Sequence, residues 1–78
     1  MLKLNVIDHA FGTVIKKQRL YEEFTQEAIS EETGLARSYI SELEMGKKDP
    51  SLFTIFKLAK ALKIKPSLII DEIENLIN

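Results

Sequence analysis

The 78-residue chain contains no cysteine and a single histidine, His9. Without thiols it can form neither a disulfide scaffold nor a thiolate metal site, and one imidazole cannot make the cluster that holds zinc. No nucleophile and base are paired in a motif around His9. We therefore expect no catalytic residue, no metal and no other cofactor, which excludes most enzyme classes.

The chain also lacks an apolar run long enough to cross a membrane or to form the core of a signal peptide. It has only three glycines and two prolines, so no flexible linker divides it. With 45% hydrophobic and 29% charged residues, the composition is that of an ordinary globular protein. We expect one soluble, cytoplasmic domain over residues 1–78.

The net charge of −1 is not the strongly basic balance that is usual for a nucleic-acid-binding domain. The charge is nevertheless segregated. Four basic residues against one acidic residue give residues 1–20 a charge of +3, and five glutamates give residues 21–34 a charge of −5. Six basic against three acidic residues return residues 35–63 to +3. Solvated helix faces account for any one of these runs, so charge alone does not identify the partner.

Apolar residues recur at helical spacing in five segments, which predicts an all-α, compact five-helix bundle. Capping and helix-breaking residues separate the segments. The predicted helices run from Asp8 to about Leu20, from the Thr25 cap to Gly34, from about Arg37 to Met45, from the Ser51 cap onward, and from Pro66 to about Ile77. The fourth helix is expected to turn these apolar residues inward: Leu52, Ile55, Leu58, Ala59 and Leu62.

The second and third helices are separated by a short turn that contains Gly34 and Leu35. A tight turn that tolerates positive φ allows two short helices to cross steeply, as in a helix-turn-helix. An ordinary helical hairpin would show the same spacing. The outer face of the third helix favours the first interpretation, because Arg37, Ser38, Ser41 and Glu42 carry hydrogen-bonding groups suited to base edges.

The motif continues on both sides of this turn. It includes Gln26 at the start of the second helix, Glu44-x-Gly46 at the end of the third, and Leu58-Ala59-x-x-Leu62 in the fourth. From about Phe11 to Leu68 the chain resembles the Cro/CI or Xre-type helix-turn-helix regulators of phages, plasmids and bacteria. The segment ARSYISELE in so short a chain is also similar to the controller proteins of restriction-modification systems.

The resemblance implies a phage-repressor-like DNA-binding domain whose third helix reads double-stranded DNA in the major groove. It implies that Gln26 meets a phosphate and braces Arg37, and that Arg19 and Glu44 form a structural ion pair. Ala36 departs from the family pattern, which often has a serine or threonine cap there. The residues expected to face bases are Arg37, Ser38, Tyr39, Ser41 and Glu42, and those expected at phosphates are Gln26, Lys16, Lys17, Lys47 and Lys48.

The fifth helix, at about 66–77, has more apolar residues than a small core can cover, which predicts a dimerisation helix. The predicted interface comprises Ile70, Ile73, Leu76 and Ile77. We therefore expect a homodimeric transcription regulator, such as a repressor, on an inverted-repeat operator, with an RNA polymerase contact only if it activates. The alternative is an interaction module of the same fold, such as an antitoxin that binds a partner toxin through exposed apolar residues of helices four and five.

Overall fold

The computed structural model describes residues 4–78, and side chains from residue 5 onward. This range folds into five α-helices without a strand, which confirms the predicted fold class. No helix in these residues is both long and apolar enough to span a bilayer. The helices are α1 (Leu4–Tyr21), α2 (Gln26–Thr33), α3 (Arg37–Glu44), α4 (Leu52–Ala61) and α5 (Pro66–Ile77).

Helix α1 begins four residues before the predicted Asp8 cap, so that prediction was wrong. Ile7 packs against the core one turn before the buried Phe11, and this contact extends the apolar face of the helix toward its N-terminus. Asp8 therefore lies inside the helix, near Asp49 of the α3–α4 loop. Partial burial and the neighbouring carboxylate raise the pKa of Asp8 above its usual value.

The apolar face of α4 differs from the prediction at its first residue. Leu58, Ala59 and Leu62 are fully buried, but Leu52 is 69% exposed. Thr54 is buried in this first turn instead. Its hydroxyl group is hydrogen-bonded to the Oγ of the N-cap Ser51 at 3.0 Å, so its burial leaves no polar group without a partner.

Helices α1 and α3 cross at close range because α1 has a glycine at the contact. A Cβ on Gly12 would lie 2.5 Å from the carbonyl oxygen of Leu43 and 2.6 Å from that of Glu44. These are backbone atoms that cannot move aside, so any side chain at Gly12 would push α3 away. The core formed around this crossing includes Phe11, Ile15, Ile29, Ile40 and Leu43.

The α2–α3 turn has the predicted glycine at its first position. Gly34 adopts φ 79°, and its N–H donates to the carbonyl of Ser30 at 2.8 Å, which closes the last turn of α2. Two side chains that the sequence did not single out for this role also hold the turn. The hydroxyl of Ser30 donates to the carbonyl of Leu35 at 2.6 Å, and the buried hydroxyl of Thr33 accepts from the N–H of Leu35 at 3.1 Å.

Two helix ends carry a side chain where glycine would be comfortable. Glu23 follows α1 with φ 60°, and Lys63 follows α4 with φ 59°. In each case the next N–H reaches five residues back, from Phe24 to the carbonyl of Arg19 and from Ile64 to that of Ala59, as in a glycine-terminated helix. An L-residue in this conformation costs about 1–2 kcal/mol.

We expect Glu23→Gly to stabilise the protein. Relief of the left-handed strain exceeds the extra backbone entropy of glycine, and the net gain should be up to about 1 kcal/mol. The neighbouring Glu22 has no positive φ, so Glu22→Gly is the matched control and should destabilise. Urea denaturation measures the free energy of unfolding of both variants. A loss of stability in Glu23→Gly equal to that of the control would contradict the strain argument.

Candidate nucleic-acid interface

An ion pair between Arg19 of α1 and Glu44 of α3 lies beneath the predicted DNA-binding surface. The guanidinium donates to both carboxylate oxygens, from Nε to Oε2 at 2.6 Å and from Nη2 to Oε1 at 3.0 Å. A third donor, Nη1, reaches the carbonyl of Phe24 at 2.8 Å. The side chains are only 11% and 3% exposed. The hydrogen bond to Glu44 outweighs burial and raises the pKa of Arg19 above its usual value, so the guanidinium remains charged.

Gln26, the first residue of α2, connects this pair to the recognition helix. Its Nε2 donates to Glu44 Oε1 at 3.0 Å, and its Oε1 accepts from Arg37 Nη1 at 3.3 Å. Gln26 thus contacts the first and the last residue of α3. The bracing contact to Arg37 that the resemblance implied is present in this geometry.

The outer face of α3 carries four of the five side chains predicted to face bases. Ile40 and Leu43 fix the orientation of the helix, because both are fully buried. The opposite side is solvent-accessible, with Arg37 and Ser38 exposed and the other two partly exposed. We call this surface the reading face, and its predicted members are Arg37, Ser38, Ser41 and Glu42.

Tyr39 lies beside the reading face, and its side chain is half-buried against the hydrophobic core. Its contact with DNA stays a prediction. Met45, which immediately follows α3, is 49% exposed and lies one helical turn beyond Ser41 on the reading face. Helical spacing could have predicted that Met45 lies on this face, because residues i and i+4 lie on the same side of a helix. Apolar side chains at this position can contact a thymine methyl group.

Ala36 precedes α3 with extended backbone and no side-chain hydrogen bond to the helix, as its identity predicts. Thr25, by contrast, caps α2 by accepting from the N–H of Ala28 at 3.0 Å. The recognition helix therefore lacks a stabilising contact worth about 1 kcal/mol, and its position depends on the packing of Ile40 and Leu43.

The predicted phosphate-binding lysines divide into two groups. Lys47 and Lys48 are exposed directly after the glycine that ends α3. Lys16 is exposed one turn after Gly12, so it shares the side of α1 that faces α3. Lys17 is rotated by about 100° from Lys16 and lies 3.9 Å from Glu72 of α5. Lys17 therefore lies on the side of α1 that adjoins α5, and of the two lysines Lys16 is the one on the α3 side.

Three of the four predicted interface residues of α5, Ile70, Ile73 and Ile77, line one groove, and Leu76 lies on another side of the helix. Ile73 is only 7% exposed and belongs to the core of the protomer, so its assignment to a dimer interface was wrong. Leu76 is exposed, but it adjoins Val14 and Lys17 of α1. Ile70 and the half-buried Ile77 border the groove, which α5 forms with the first half of α1, the α3–α4 loop and Ile55 of α4.

Large apolar side chains of α4 and α5 are also exposed to solvent. We call them the α4–α5 patch. Four large apolar side chains expose between 47% and 71% of their surface there. Helices α4 and α5 pack against each other, and exposed apolar side chains on neighbouring helices are typical of an interface. Its members are Leu52, Phe53, Phe56 and Ile70.

Two short helices around a tight turn, with a polar outer face on the second helix, define the class of helix-turn-helix proteins. The sequence matches the helix-turn-helix family over residues 15–69, most of the chain. The protein belongs to this family.

Several relatives share more of the chain than this motif. Control protein C.BamHI from Bacillus amyloliquefaciens is 37% identical over 68 residues, which cover 86% of this chain and 84% of that protein. The restriction-modification controller protein C.AhdI from Aeromonas hydrophila superimposes with a TM-score of 0.77 at 35% identity, covering 80% of this chain and 94% of that one. A second structure shows the controller protein C.Esp1396I as a tetramer on its natural 35-base-pair operator. It has a TM-score of 0.82 and 25% identity, and covers 91% of this chain and 93% of that one.

We expect Glu44→Ala to destabilise the protein by about 3–5 kcal/mol, because it leaves the buried Arg19 guanidinium without its counter-charge. A loss of that size approaches the whole stability of a domain of this length. The matched control is Glu72→Ala, which breaks the exposed Lys17–Glu72 pair, worth less than about 1 kcal/mol. Thermal and urea denaturation compare the two variants. Equal losses would show that burial of the Arg19–Glu44 pair carries no special energetic weight.

Proposed function

We propose that the protein is a sequence-specific transcriptional regulator that inserts α3 into the major groove of double-stranded DNA. The observation that carries the proposal is the reading face, a row of hydrogen-bonding side chains on a helix fixed from behind by Ile40 and Leu43. The chain is a binding protein rather than an enzyme, in keeping with its family.

Each part of this surface has a distinct role in the proposal. Arg37 donates two hydrogen bonds to a guanine, the commonest specific contact in the major groove. Lys47, Lys48 and Lys16 contact backbone phosphates, which position the protein without reading sequence. Gln26 contacts a phosphate at the start of α2, and Met45 contacts a thymine methyl group.

We propose that the active form is a homodimer assembled through the α4–α5 patch. We expect the two recognition helices of such a dimer to enter successive major grooves about 34 Å apart, so the operator is an inverted repeat with a half-site spacing of about 10 base pairs. Of the other three α5 residues of the predicted interface, Ile73 is buried in the protomer and Leu76 lies against α1. Ile77 is half-buried in the groove that Ile70 borders.

The biological role we propose is that of a controller protein, acting in the cytoplasm. It is supported by 37% identity to C.BamHI over most of both chains and by the structural similarity to C.AhdI. A controller that activates transcription would also contact RNA polymerase. A repressor would act by occupying the operator.

We expect Arg37→Ala to remove the base preference at one position of each half-site. A bidentate arginine–guanine contact provides about 1–3 kcal/mol of discrimination, so the preference at that position should fall at least fivefold. The operator is first obtained by sequencing DNA selected by the purified protein. Binding is then measured on this operator and on duplexes substituted at each position.

Lys47→Ala is the matched control for Arg37→Ala, because it also removes one exposed cation. It should weaken binding to cognate and to random DNA by the same factor, and reduce the slope of log affinity against log salt concentration by about 1. If Arg37→Ala behaved in the same way, with its full base preference retained, the proposed docking of α3 would be wrong. Absence of any sequence preference in the unmodified protein would overturn the function itself.

We expect Phe53→Glu and Ile70→Glu to yield folded monomers that bind the operator much more weakly. Both side chains are exposed in the protomer, so a charge there disrupts the interface and spares the core. Leu76→Glu is the matched control on the opposite side of α5 and should remain dimeric. Sedimentation equilibrium at tens of micromolar measures the association.

If Phe53→Glu remained dimeric and Leu76→Glu became monomeric, the interface would lie on the side of α5 that adjoins α1. An unmodified protein that is monomeric at that concentration would contradict the homodimer and favour the alternative of a module that binds another protein.

A further inference from the structure

We propose that His9 is a DNA-binding residue whose protonated imidazole contacts a backbone phosphate beside Lys47. This inference rests on the proposed function and adds to it a phosphate contact that depends on pH. Where the imidazole is neutral in the free protein, DNA binding takes up one proton from the solvent and places it on the ring.

The position of His9 is set by close packing against the glycine that ends α3. A Cβ on Gly46 would lie 2.5 Å from His9 Nδ1 and 3.0 Å from His9 Cα. The ring therefore lies directly against Gly46, and a side chain at Gly46 would displace it. Lys47 is the next residue of the chain, so the imidazole lies at the start of the loop that carries two of the predicted phosphate-binding lysines.

His9 also shares a side of α1 with Gly12 and Lys16. Gly12, which meets the carbonyls at the end of α3, lies three residues after His9 and four residues before Lys16. Residues at this spacing line one side of a helix. The imidazole and the Lys16 ammonium thus flank the end of α3, about 10 Å apart along α1. Together with Lys47 they border the recognition helix with three groups that can carry positive charge.

The imidazole has the chemistry that a phosphate contact needs. His9 is exposed, and the hydrogen bond from Thr13 Oγ1, at 3.0 Å, is made to its backbone carbonyl and not to its ring. A protonated imidazole has two N–H donors, whereas a neutral one has a single donor and no charge. Hydrogen bonds between ionised partners are about twice as strong as neutral ones, so a phosphate favours the protonated ring.

Three carboxyl groups near His9 favour its protonation already in the free protein. Burial and then Asp49 raise the pKa of Asp8, and His9 opposes that rise, so Asp8 and the imidazole are close enough to interact. Asp49 of the α3–α4 loop and Glu74 of α5 line the same groove as Asp8. Negative charge near an imidazole stabilises the imidazolium form.

Two cations of the loop oppose protonation until DNA binds. Lys47 and Lys48 follow Gly46 and are exposed near the ring. The carboxylate of Glu44, at the end of α3, offers His9 little compensation because it is paired with Arg19. The phosphates of a bound duplex neutralise the two lysines and add negative charge beside the ring. The protonated form of His9 is therefore favoured more strongly in the complex than in the free protein.

The test measures how DNA affinity depends on salt at two pH values. Each phosphate contact adds about 0.9 to the steepness of log affinity against log salt concentration. Since histidine changes charge between pH 5 and 8, the unmodified protein should show a slope steeper by up to about 0.9 at pH 6 than at pH 8. A rise in salt from about 50 to 200 mM should then weaken binding about threefold more at pH 6. Operator and random duplex should show the same change.

Two variants of His9, the only histidine of the chain, assign this change to its ring. His9→Gln should give the shallower slope at both pH values, and His9→Lys the steeper slope at both. The α-amino group also titrates in this range, so the measure is the difference between the unmodified protein and His9→Gln. Lys17→Gln is the matched control, because it removes a cation from the side of α1 that adjoins α5. It should keep the full difference between pH 6 and pH 8.

Nuclear magnetic resonance gives a second readout that needs no variant. A single histidine gives one imidazole C2-proton signal, so its assignment is unambiguous. At pH 7, addition of duplex DNA should move this signal toward its position in the protonated form.

An equal difference in slope in the unmodified protein and in His9→Gln would overturn the inference and leave the proposed DNA-binding function intact. The same conclusion would follow if affinity changed with pH at constant slope, because the imidazole would then act on the fold of the protein and contact no phosphate. An unmodified protein that binds no duplex at either pH would contradict the proposed function, and the inference with it.

Discussion

The buried ion pair between Arg19 and Glu44 joins the parts of the protein that must keep a fixed relation. One guanidinium contacts the end of α3 through both carboxylate oxygens and the segment after α1 through the carbonyl of Phe24. The same carboxylate receives the amide of Gln26 at the start of α2. Every donor of this network that lies in the interior has an acceptor, which is the condition under which a buried charge pair is tolerated. In a domain with a small core and no disulfide, this ion pair helps to set the angle at which the recognition helix crosses α1.

These buried contacts explain how a helix without an N-terminal cap can hold side chains in position to read DNA. Helix α3 has eight residues, a length that is marginal in isolation, and its first turn is uncapped. It is held by Ile40 and Leu43 on its inner side, by Glu44 at its last residue and by the close approach that Gly12 permits. The packed side and the exposed side of α3 are therefore separate, so side chains of the reading face can vary without loss of the fold.

Helices α4 and α5 are divided in the same way into a packed inner side and an exposed outer side. The inner residues of these helices complete the core, whereas Phe53, Phe56 and Ile70 remain exposed. A chain of this length buries only about 60–65% of the surface that it exposes when unfolded, so association with a second copy is the remaining source of apolar burial. Coupling of this burial to DNA binding would make operator occupancy depend on protein concentration.

The sequence by itself determined the number of helices, their breaks and the turn between α2 and α3. These are local properties: Gly34 at a positive φ, Thr25 and Ser51 as caps and Pro66 at a first position act through neighbours in the chain. It also indicated which side of α3 is polar, because helical spacing separates Ile40 and Leu43 from the reading face. The resemblance to a family added the partners of Arg19 and Gln26, which lie too far apart in sequence for spacing to reveal.

Only the tertiary structure decided which apolar and basic residues the fold would cover. Spacing placed Leu52 inside and Ile73 at an interface, but the packing of α4 against α2 and α5 leaves the first exposed, and the packing of α5 against α1 and α4 buries the second. Likewise, adjacent lysines on α1 look equivalent in sequence until Lys17 is seen beside Glu72 of α5. Helical periodicity defines the directions in which side chains project, whereas the contacts that bury or expose them arise between segments distant in the chain.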